Sequence, residues 1–308
     1  MDDIMLNNQT CRNVTYDPSG LPMETAIVLD KSYLDGASTN AIRALCDNYT
    51  VLLSDELFFE LMTTRPESQQ RCFSKLPEKV NPVWVIPNVG SLLRFELENH
   101  VSCTPVVRHK FQDDYQFNSK LRDGSFVFEG EALQNLEAWK ARVAKDTEGF
   151  IDRWVIVNQF FPELSGVERK DFPSAIKAAR QKTATDTDFI REIYASFLEE
   201  DAPASAPNPD EISPEWAFFR WVQCQILCSL RLFGRYQGKV PDTHGRAFVE
   251  KAEHSMLDSH HLIHGSLVGA MATLDDEVRE DFLLLLPDCH LIPEKMDPIA
   301  VVDTTQKK

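Results

Sequence analysis

The chain has 308 residues, of which 43% are hydrophobic and 26% are charged, and this composition is typical of a globular protein with its own core. Its 48 acidic and 32 basic residues give a formal net charge of −16, which argues against non-specific binding of nucleic acid over the whole surface, although not against a local basic groove. The sequence has no apolar run near the ~20 residues of a membrane helix and no signal-peptide core after Met1, so we expect a cytoplasmic protein without membrane contact. Its seven cysteines show no Cys-x-x-Cys spacing, and we expect them to be reduced thiols.

The first predicted elements indicate an α/β protein. Residues 1–23 are polar and rich in turn-forming residues, and we predict an N-terminal arm there. The next four elements alternate between strand and helix: Ala26–Leu29, 40–47, 51–53 and Asp55–Thr63. Ser54 is a suitable N-cap for the second helix. The alternation of strand and helix is typical of a parallel α/β unit.

The middle of the chain has a different pattern. Prolines separate two short β-like runs, 83–86 and 125–128. Apolar residues at three- and four-residue steps then predict helices, which cover 131–161, 172–180 and 188–199. A Pro- and Ala-rich linker at 202–214 precedes a strongly apolar helix at 214–236. We therefore predict a mainly α-helical insertion at 66–244.

The α/β pattern returns near the C-terminus. We predict a helix at 246–267, a strand at 270–273, a helix at 277–285 and a last strand at His290–Ile292. The sheet of one α/β domain would thus be divided between residues 24–65 and 245–295, because chain segments on either side of an insertion commonly reunite in one domain. Residues 296–308 would form a C-terminal tail.

Four acidic residues lie near the ends of these elements: Asp30, Glu60, Asp258 and Asp275. Ligands of open α/β sheets bind at the carboxyl ends of the strands. Several carboxylates in one cleft repel each other and need a cation to stay ionised, and oxygen-only ligands suit Mg²⁺ or Mn²⁺. Any single one of these acids is explained by the preference of carboxylates for helix starts, so the metal hypothesis depends on the set.

With their flanking residues, these acids resemble the motifs of PIN-domain ribonucleases. The run from Ala26 through Asp30 to Leu34 is similar to the first motif, in which a strand ends in aspartate and a helix follows. The run from Leu52 to Glu60 is similar to the second motif, in which a capped helix carries glutamate. The segment from Asp258 to Thr273-Leu274-Asp275 is similar to the third and fourth motifs in order and spacing. The long insertion, and Lys31 in place of a small residue, depart from the family pattern.

The resemblance implies a PIN-like parallel sheet flanked by helices and an endoribonuclease activity. Asp30, Glu60, Asp258 and Asp275 would hold Mg²⁺ or Mn²⁺, with Asp276 as an alternative or additional ligand. The metal would activate a water molecule and stabilise charge on the phosphate of RNA. The candidate substrate contacts are Lys31, Ser32, His254, His261, Thr273, Lys177 and Arg180. His254 and His261 share a helix face with Asp258, but packed or exposed polar residues on an amphipathic helix would show the same spacing.

Three functions remain open at this stage. Standalone relatives of this kind often act as toxins or defence effectors, which implies RNA as substrate and an inhibitor or antitoxin as partner. Flap-type nucleases with a similar acidic cluster make DNA the alternative substrate. A catalytically inactive scaffold is the third hypothesis, and Lys31 together with the negative net charge favours it. The apolar helix at 214–236 suits a core, an antitoxin interface or a homo-oligomer interface equally well.

Overall fold

The computed structural model describes residues 25–109, 117–201 and 205–293. Five strands form one sheet: β1 (Ala26–Leu29), β2 (Thr50–Ser54), β3 (Trp84–Ile86), β4 (Ala270–Ala272) and β5 (His290–Ile292). The strand order is β3-β2-β1-β4-β5, and all four pairings are parallel. The predicted arm at 1–23 and the predicted tail at 296–308 lie outside the described residues.

Helices make up most of the remaining described chain. They are α1 (Lys31–Gly36), α2 (Thr39–Asn48), α3 (Asp55–Thr63), α4 (Pro66–Lys75), α5 (Val89–Asn99), α6 (Lys120–Asp123), α7 (Gly130–Val155), α8 (Val157–Phe160), α9 (Phe172–Thr185), α10 (Thr187–Asp201), α11 (Ala217–Arg235), α12 (Arg246–Val268) and α13 (Asp276–Leu285). Two 3₁₀ turns cover Val106–His109 and Pro162–Leu164.

The sheet is buried on both faces. Ile27, Val28 and Leu29 of β1 have no exposed surface, and every residue of β2 is buried. Continuous apolar strands of this kind are typical of a parallel sheet covered by helices on both sides. The predicted α/β class, with a parallel sheet flanked by helices, is therefore confirmed.

Helix α3 shows how local sequence determines an element's bounds. The hydroxyl of Ser54 accepts a hydrogen bond from the backbone N–H of Leu57 at 3.1 Å, which satisfies one of the free donors at the helix start. Asp55 and Glu56 place negative charge in the first turn, where the helix dipole favours it. The helix consequently spans the residues that the sequence predicted, and it brings Glu60 to the carboxyl edge of the sheet.

The structure corrects several predicted elements. The run at 83–86, which we assigned to the helical insertion, contributes β3 to the sheet beside β2. The run at 125–128 forms no strand; its two phenylalanines, Phe126 and Phe128, pack edge to face with ring centroids 5.1 Å apart. The helix predicted at 131–161 is interrupted at Ile156, between α7 and α8.

The apolar helix α11 begins at Ala217 rather than at Pro214. The reason is a cap that comes from a distant part of the chain. The buried carboxylate of Glu96 accepts hydrogen bonds from the backbone N–H groups of Ala217 at 2.7 Å and Phe218 at 3.0 Å. These two donors would otherwise be unsatisfied at the helix start.

Helix α12 connects the helical part of the molecule with the sheet. One side of it packs on β1 and α3, and it also packs on α7 and α11. It ends at Val268, and the next residue, Gly269, has a φ of 78°, a left-handed conformation that glycine adopts without strain. The chain then enters β4 directly, so the position of Asp258 on α12 is tied to the sheet.

Candidate active site

The candidate site lies between β1 and β4, where the order in which the chain adds strands to the sheet reverses. The chain proceeds from β1 outward through β2 and β3 on one side, and β4 and β5 continue on the other side of β1. In open α/β sheets a crevice forms at such a point, outside the carboxyl ends of the strands. Asp30 follows β1 and Thr273 follows β4, and the N–H of Asp30 donates to the carbonyl of Ala272 at 3.0 Å. The first and fourth motifs are therefore neighbours.

Ser32 connects these two motifs through its hydroxyl. It donates to Oδ2 of Asp30 and accepts from the backbone N–H groups of Leu274 at 2.9 Å and Asp275 at 3.1 Å. Thr273 donates a second hydrogen bond to Oδ2 of Asp30 at 2.7 Å. Asp30 is thus held by two hydroxyl groups rather than by a cation, and its Oδ1 makes no hydrogen bond with the described residues.

Asp275 has a structural function of its own. Its Oδ1 accepts from the backbone N–H groups of Glu277 at 2.9 Å and Val278 at 3.0 Å, so this side chain caps α13. An N-cap of this kind contributes about 1 kcal/mol whether or not a metal binds. Its Oδ2 has no hydrogen-bond partner among the described residues and is the oxygen available to a ligand.

Asp258 faces like charges in the same crevice. Its Oδ2 lies 2.6 Å from Nη2 of Arg231. Burial, together with the negative charges of Asp275 and Asp30, raises the pKa of Asp258 to about 7, against the opposing effect of Arg231. Three of the four predicted carboxylates therefore interact electrostatically at the carboxyl edge of the sheet.

Glu60 is paired with cations of the protein itself. Its Oε2 lies 2.8 Å from Nε2 of His261, and its Oε1 lies 3.8 Å from Nζ of Lys31. Burial opposes ionisation of Glu60, but His261 outweighs it and lowers the pKa of the carboxyl. Burial also disfavours the charged form of His261, yet the hydrogen bond to Glu60 and the charges of Glu60 and Asp30 raise its pKa to about 9. At neutral pH this is a buried ion pair.

The remaining predicted site residues lie on three helices, α12, α13 and α9. His254 is exposed on α12, close enough to Glu60 for its charge to lower the pKa of that carboxyl. Asp276 is exposed at the start of α13. Lys177 and Arg180 lie on α9. Lys177 is exposed, whereas Arg180 is bound to Glu280 at 3.0 Å and to Asp281 at 2.8 Å.

Sequence reasoning missed a second acid–histidine cluster beside the first. Glu56 of α3 is buried between His260 and His264 of α12, with oxygen–nitrogen distances of 3.5 and 3.3 Å. Burial opposes ionisation of Glu56, but its interactions with these two histidines outweigh the burial penalty and lower its pKa well below the usual range. Its Oε1 also accepts from the N–H of Val89 at 2.8 Å. The spacing of His260 and His264, one helical turn apart, was the available signal.

Arg231 was also missed as a site residue. The sequence places it near the end of the predicted apolar helix at 214–236. The structure buries it, with 7% of its side chain exposed, against Asp258 and two further carboxylates. Arg231 is the one charged residue in the otherwise apolar and neutral stretch 221–234 of this helix, and that placement was the signal for a buried ion pair.

The donor set agrees with a divalent metal in its chemistry but not in its arrangement. The four predicted ligands are carboxylates, as Mg²⁺ and Mn²⁺ prefer, and Asp30 and Asp275 each keep an oxygen without a hydrogen bond to the described residues. However, no three histidine, cysteine, aspartate or glutamate side chains in the described ranges are placed to hold one metal ion. Binding of a metal would therefore require the carboxylates to move together.

Comparisons with protein-family models, with curated proteins and with solved structures find no match for this chain. The resemblance to PIN-domain ribonucleases consequently rests on the four motifs alone. Within the residues that the structure describes, no helix has both the length and the apolar character needed to cross a membrane.

Proposed function

We propose that this protein is a PIN-like, metal-dependent endoribonuclease. One observation carries the proposal: the hydroxyl of Ser32 bonds both the Asp30 carboxylate and the backbone N–H of Asp275. This bond links the Asp30 carboxylate to the backbone of Asp275, so two motifs that are far apart in sequence are neighbours at the carboxyl edge of the sheet, where α/β sheets bind ligands. The charge of Asp258 acts on the same place.

In this proposal Asp30, Asp258 and Asp275 are the metal ligands, with Glu60 at the edge of the set. The bound metal would supply a water activated at neutral pH and would stabilise charge on the phosphate. Ser32 and Thr273 orient Asp30 by donating to one of its oxygens, which leaves the other for the metal. Asp275 is oriented by capping α13.

Lys31 and His261 act on Glu60 rather than on the substrate. Both are positively charged groups directed at its carboxylate. They keep this acid ionised while the metal is absent, and they reduce the negative charge that the metal must balance. Substrate contact by His254, which is exposed beside Glu60, is part of the proposal.

The testing experiment is cleavage of a mixture of single-stranded and structured RNA with Mg²⁺ or Mn²⁺. Wild type is compared with Asp30→Asn, Asp258→Asn and a control, Asp288→Asn, whose exposed side chain lies just before β5 at the opposite edge of the sheet. We expect cleavage by wild type and the control only. The two site variants should lose more than the roughly 10- to 100-fold that loss of an outer-shell partner costs. The proposal fails if wild type is inactive with both metals or if Asp30→Asn retains full activity.

The same variants on DNA substrates distinguish the alternative of a DNA nuclease of related fold, in which the site is unchanged and only the substrate differs. A second candidate, a catalytically inactive scaffold, is favoured by one observation. Glu60 and Asp258 are already neutralised by cations of the protein, so the structure is accounted for without a metal. Inactivity on both nucleic acids, together with binding of an inhibitor or another protein partner, would support the scaffold.

A further inference from the structure

Arg153 of α7 is a cation without a counter-ion among the described residues. Its guanidinium makes one hydrogen bond within this part of the chain, from Nη2 to Oε1 of Gln225 at 3.1 Å. Its Nε is buried without a hydrogen-bond partner, and its Nη1 makes no hydrogen bond with the described residues. Gln225 is neutral, and its own amide group donates to Ser259 at 2.6 Å. Gln225 therefore orients the arginine without balancing its charge.

The positive charge of Arg153 is held in poorly solvated surroundings. The guanidinium lies over the ring of Trp221, 4.9 Å from the ring centroid. Burial lowers the pKa of Arg153 to about 10, although the charges of Asp146 and Asp152 act against this shift. The side chain is thus still charged at neutral pH. A charge removed from water is costly unless it is paired, and an unsatisfied buried group in a native protein is commonly bound by a water molecule or an ion.

A small cavity lies beside this arginine, between α7, α8, α10 and α11. Its polar lining residues in the described chain are Arg153, Gln225 and Ser229, and the others are apolar. Its volume of about 10 Å³ is close to the minimum that holds one water-sized particle. Ser229 is buried, and its hydroxyl makes no hydrogen bond with the described residues. This hydroxyl is consequently available as a second donor to a ligand in the cavity.

We propose that the cavity is a binding site for a small monovalent inorganic anion, of which chloride is the example to test. The anion neutralises the guanidinium of Arg153 and accepts a hydrogen bond from Ser229, so it connects α7 with α11. A water molecule also fits a cavity of this volume, but it leaves the charge unbalanced. Dependence on the concentration of the anion therefore distinguishes the two occupants. The site lies within the helical insertion and is independent of the proposed nuclease function.

Thermal unfolding of the full chain in mixtures of sodium chloride and sodium isethionate tests the site. The mixtures have constant ionic strength, which keeps the screening of surface charges unchanged. We expect Tm to rise by about 2–4 °C from isethionate to chloride, because a ligand that binds only the folded state stabilises it. Half of the rise should be reached below about 0.15 M chloride, the physiological ionic strength. Broadening of the chloride NMR signal by the folded protein should report the bound ion directly.

Three variants separate the site from general effects of salt. Arg153→Gln removes the charge and should abolish both the chloride dependence of Tm and the broadening of the NMR signal. Arg191→Gln is the matched control and should keep both. This arginine of α10 lies in the same insertion, but it is bound to Asp188 at 3.4 Å and to the carbonyl of Ile212 at 3.0 Å. Ser229→Ala should weaken chloride affinity at least about tenfold, the effect of losing a hydrogen bond to a charged group.

Two results would overturn the anion site. If neither Tm nor the NMR signal of wild type depends on chloride below about 0.15 M, the cavity holds water alone. If Arg153→Gln keeps the chloride dependence of wild type, the ion binds elsewhere. Should Arg153→Gln fail to fold, Ser229→Ala decides, because it retains the charged residue and unchanged affinity in it also overturns the site. None of these measurements involves RNA or a divalent metal, so their outcome leaves the nuclease proposal untouched.

Discussion

On the sheet side of the site, Asp30 and Asp275 are held by hydroxyl and backbone N–H groups, whereas on the helix side Glu60 and Asp258 are held by His261 and Arg231. Neutral donors orient a carboxylate and leave its charge in place, while a buried cation cancels that charge. The negative potential that a metal ion would use is therefore concentrated at the carboxyl ends of β1 and β4.

On the helix side, each of these buried acids therefore has a basic partner within the protein itself. Glu56 and Glu60 of α3 face three histidines of α12, and Asp281 faces two arginines. Buried pairs of this kind are costly to break, although forming them contributes little net stability. The two sides thus respond differently to mutation: loss of a charge should dominate on the helix side, and loss of a hydrogen bond on the sheet side.

The largest effect on stability is expected from Asp281→Asn. The substitution keeps the shape of the side chain but leaves Arg180 and Arg231 without their shared buried anion. Breaking a buried pair from one side costs about 3–5 kcal/mol. Urea denaturation should show this loss in the free energy of unfolding. Glu280→Gln is the control, because that acid binds Arg180 while its own side chain is 67% exposed, and exposed pairs contribute about 0–1 kcal/mol. Equal effects of the two variants would contradict a buried charge network.

An intermediate effect is expected on the sheet side, from Ser32→Ala. The variant removes the acceptor of the Leu274 and Asp275 N–H groups and one donor to Asp30. Unsatisfied buried polar groups cost about 1–3 kcal/mol, and metal-dependent cleavage should fall because Asp30 is no longer oriented. Ser74→Ala is the control, since that exposed hydroxyl bonds only a backbone carbonyl on its own helix. A variant with wild-type stability and activity would show that Ser32 does not connect the two motifs.

The smallest effect near neutral pH is expected from the Glu60–His261 pair. The pKa of His261 is raised in the folded protein to about 9, so its contribution is complete below the unfolded value of about 6.5 and is lost as pH rises through 9. The pKa of Glu60 is lowered, so its contribution is present above about 4.5 and is lost as pH falls through its folded value.

Denaturation midpoints measured from pH 5 to pH 10 test this dependence. Between about pH 8 and 9, where Asp258 with its pKa of about 7 is already mostly ionised in the folded protein, stability should fall with a slope of at most about 1.4 kcal/mol per pH unit, the limit for one proton. Glu60→Gln should flatten this slope, and Glu250→Gln, which removes an exposed acid paired with Arg246, should leave it unchanged. An unaltered slope in Glu60→Gln would mean that His261 is not held charged by Glu60.

The residues that sequence reasoning located correctly are those whose signals are local. The bounds of α3 follow from the Ser54 cap and the apolar spacing behind it. The strands that carry Asp30 and Thr273 are apolar runs followed by polar residues. From these features the sequence predicts the class of the fold and the location of the first and fourth motifs at one edge of the sheet.

The features that sequence reasoning missed depend on contacts between distant segments. The run at 83–86 joins the sheet only because β2 offers it a partner, and the start of α11 depends on a cap from Glu96. Arg231 is buried against Asp258 and Asp281, which lie on two other helices. Neither periodicity nor spacing encodes which of several basic residues will be buried beside which acid.

Direct measurement of Mn²⁺ binding tests the central claim, that the carboxylates at the β1–β4 crevice form a metal site. Titration calorimetry on wild type, Asp30→Asn and Asp288→Asn needs no assumption about the substrate. We predict that wild type and Asp288→Asn bind Mn²⁺ alike and that Asp30→Asn binds it more weakly by at least the roughly tenfold expected of an outer-shell loss. Absence of binding to wild type, or equal binding by Asp30→Asn, would contradict the claim.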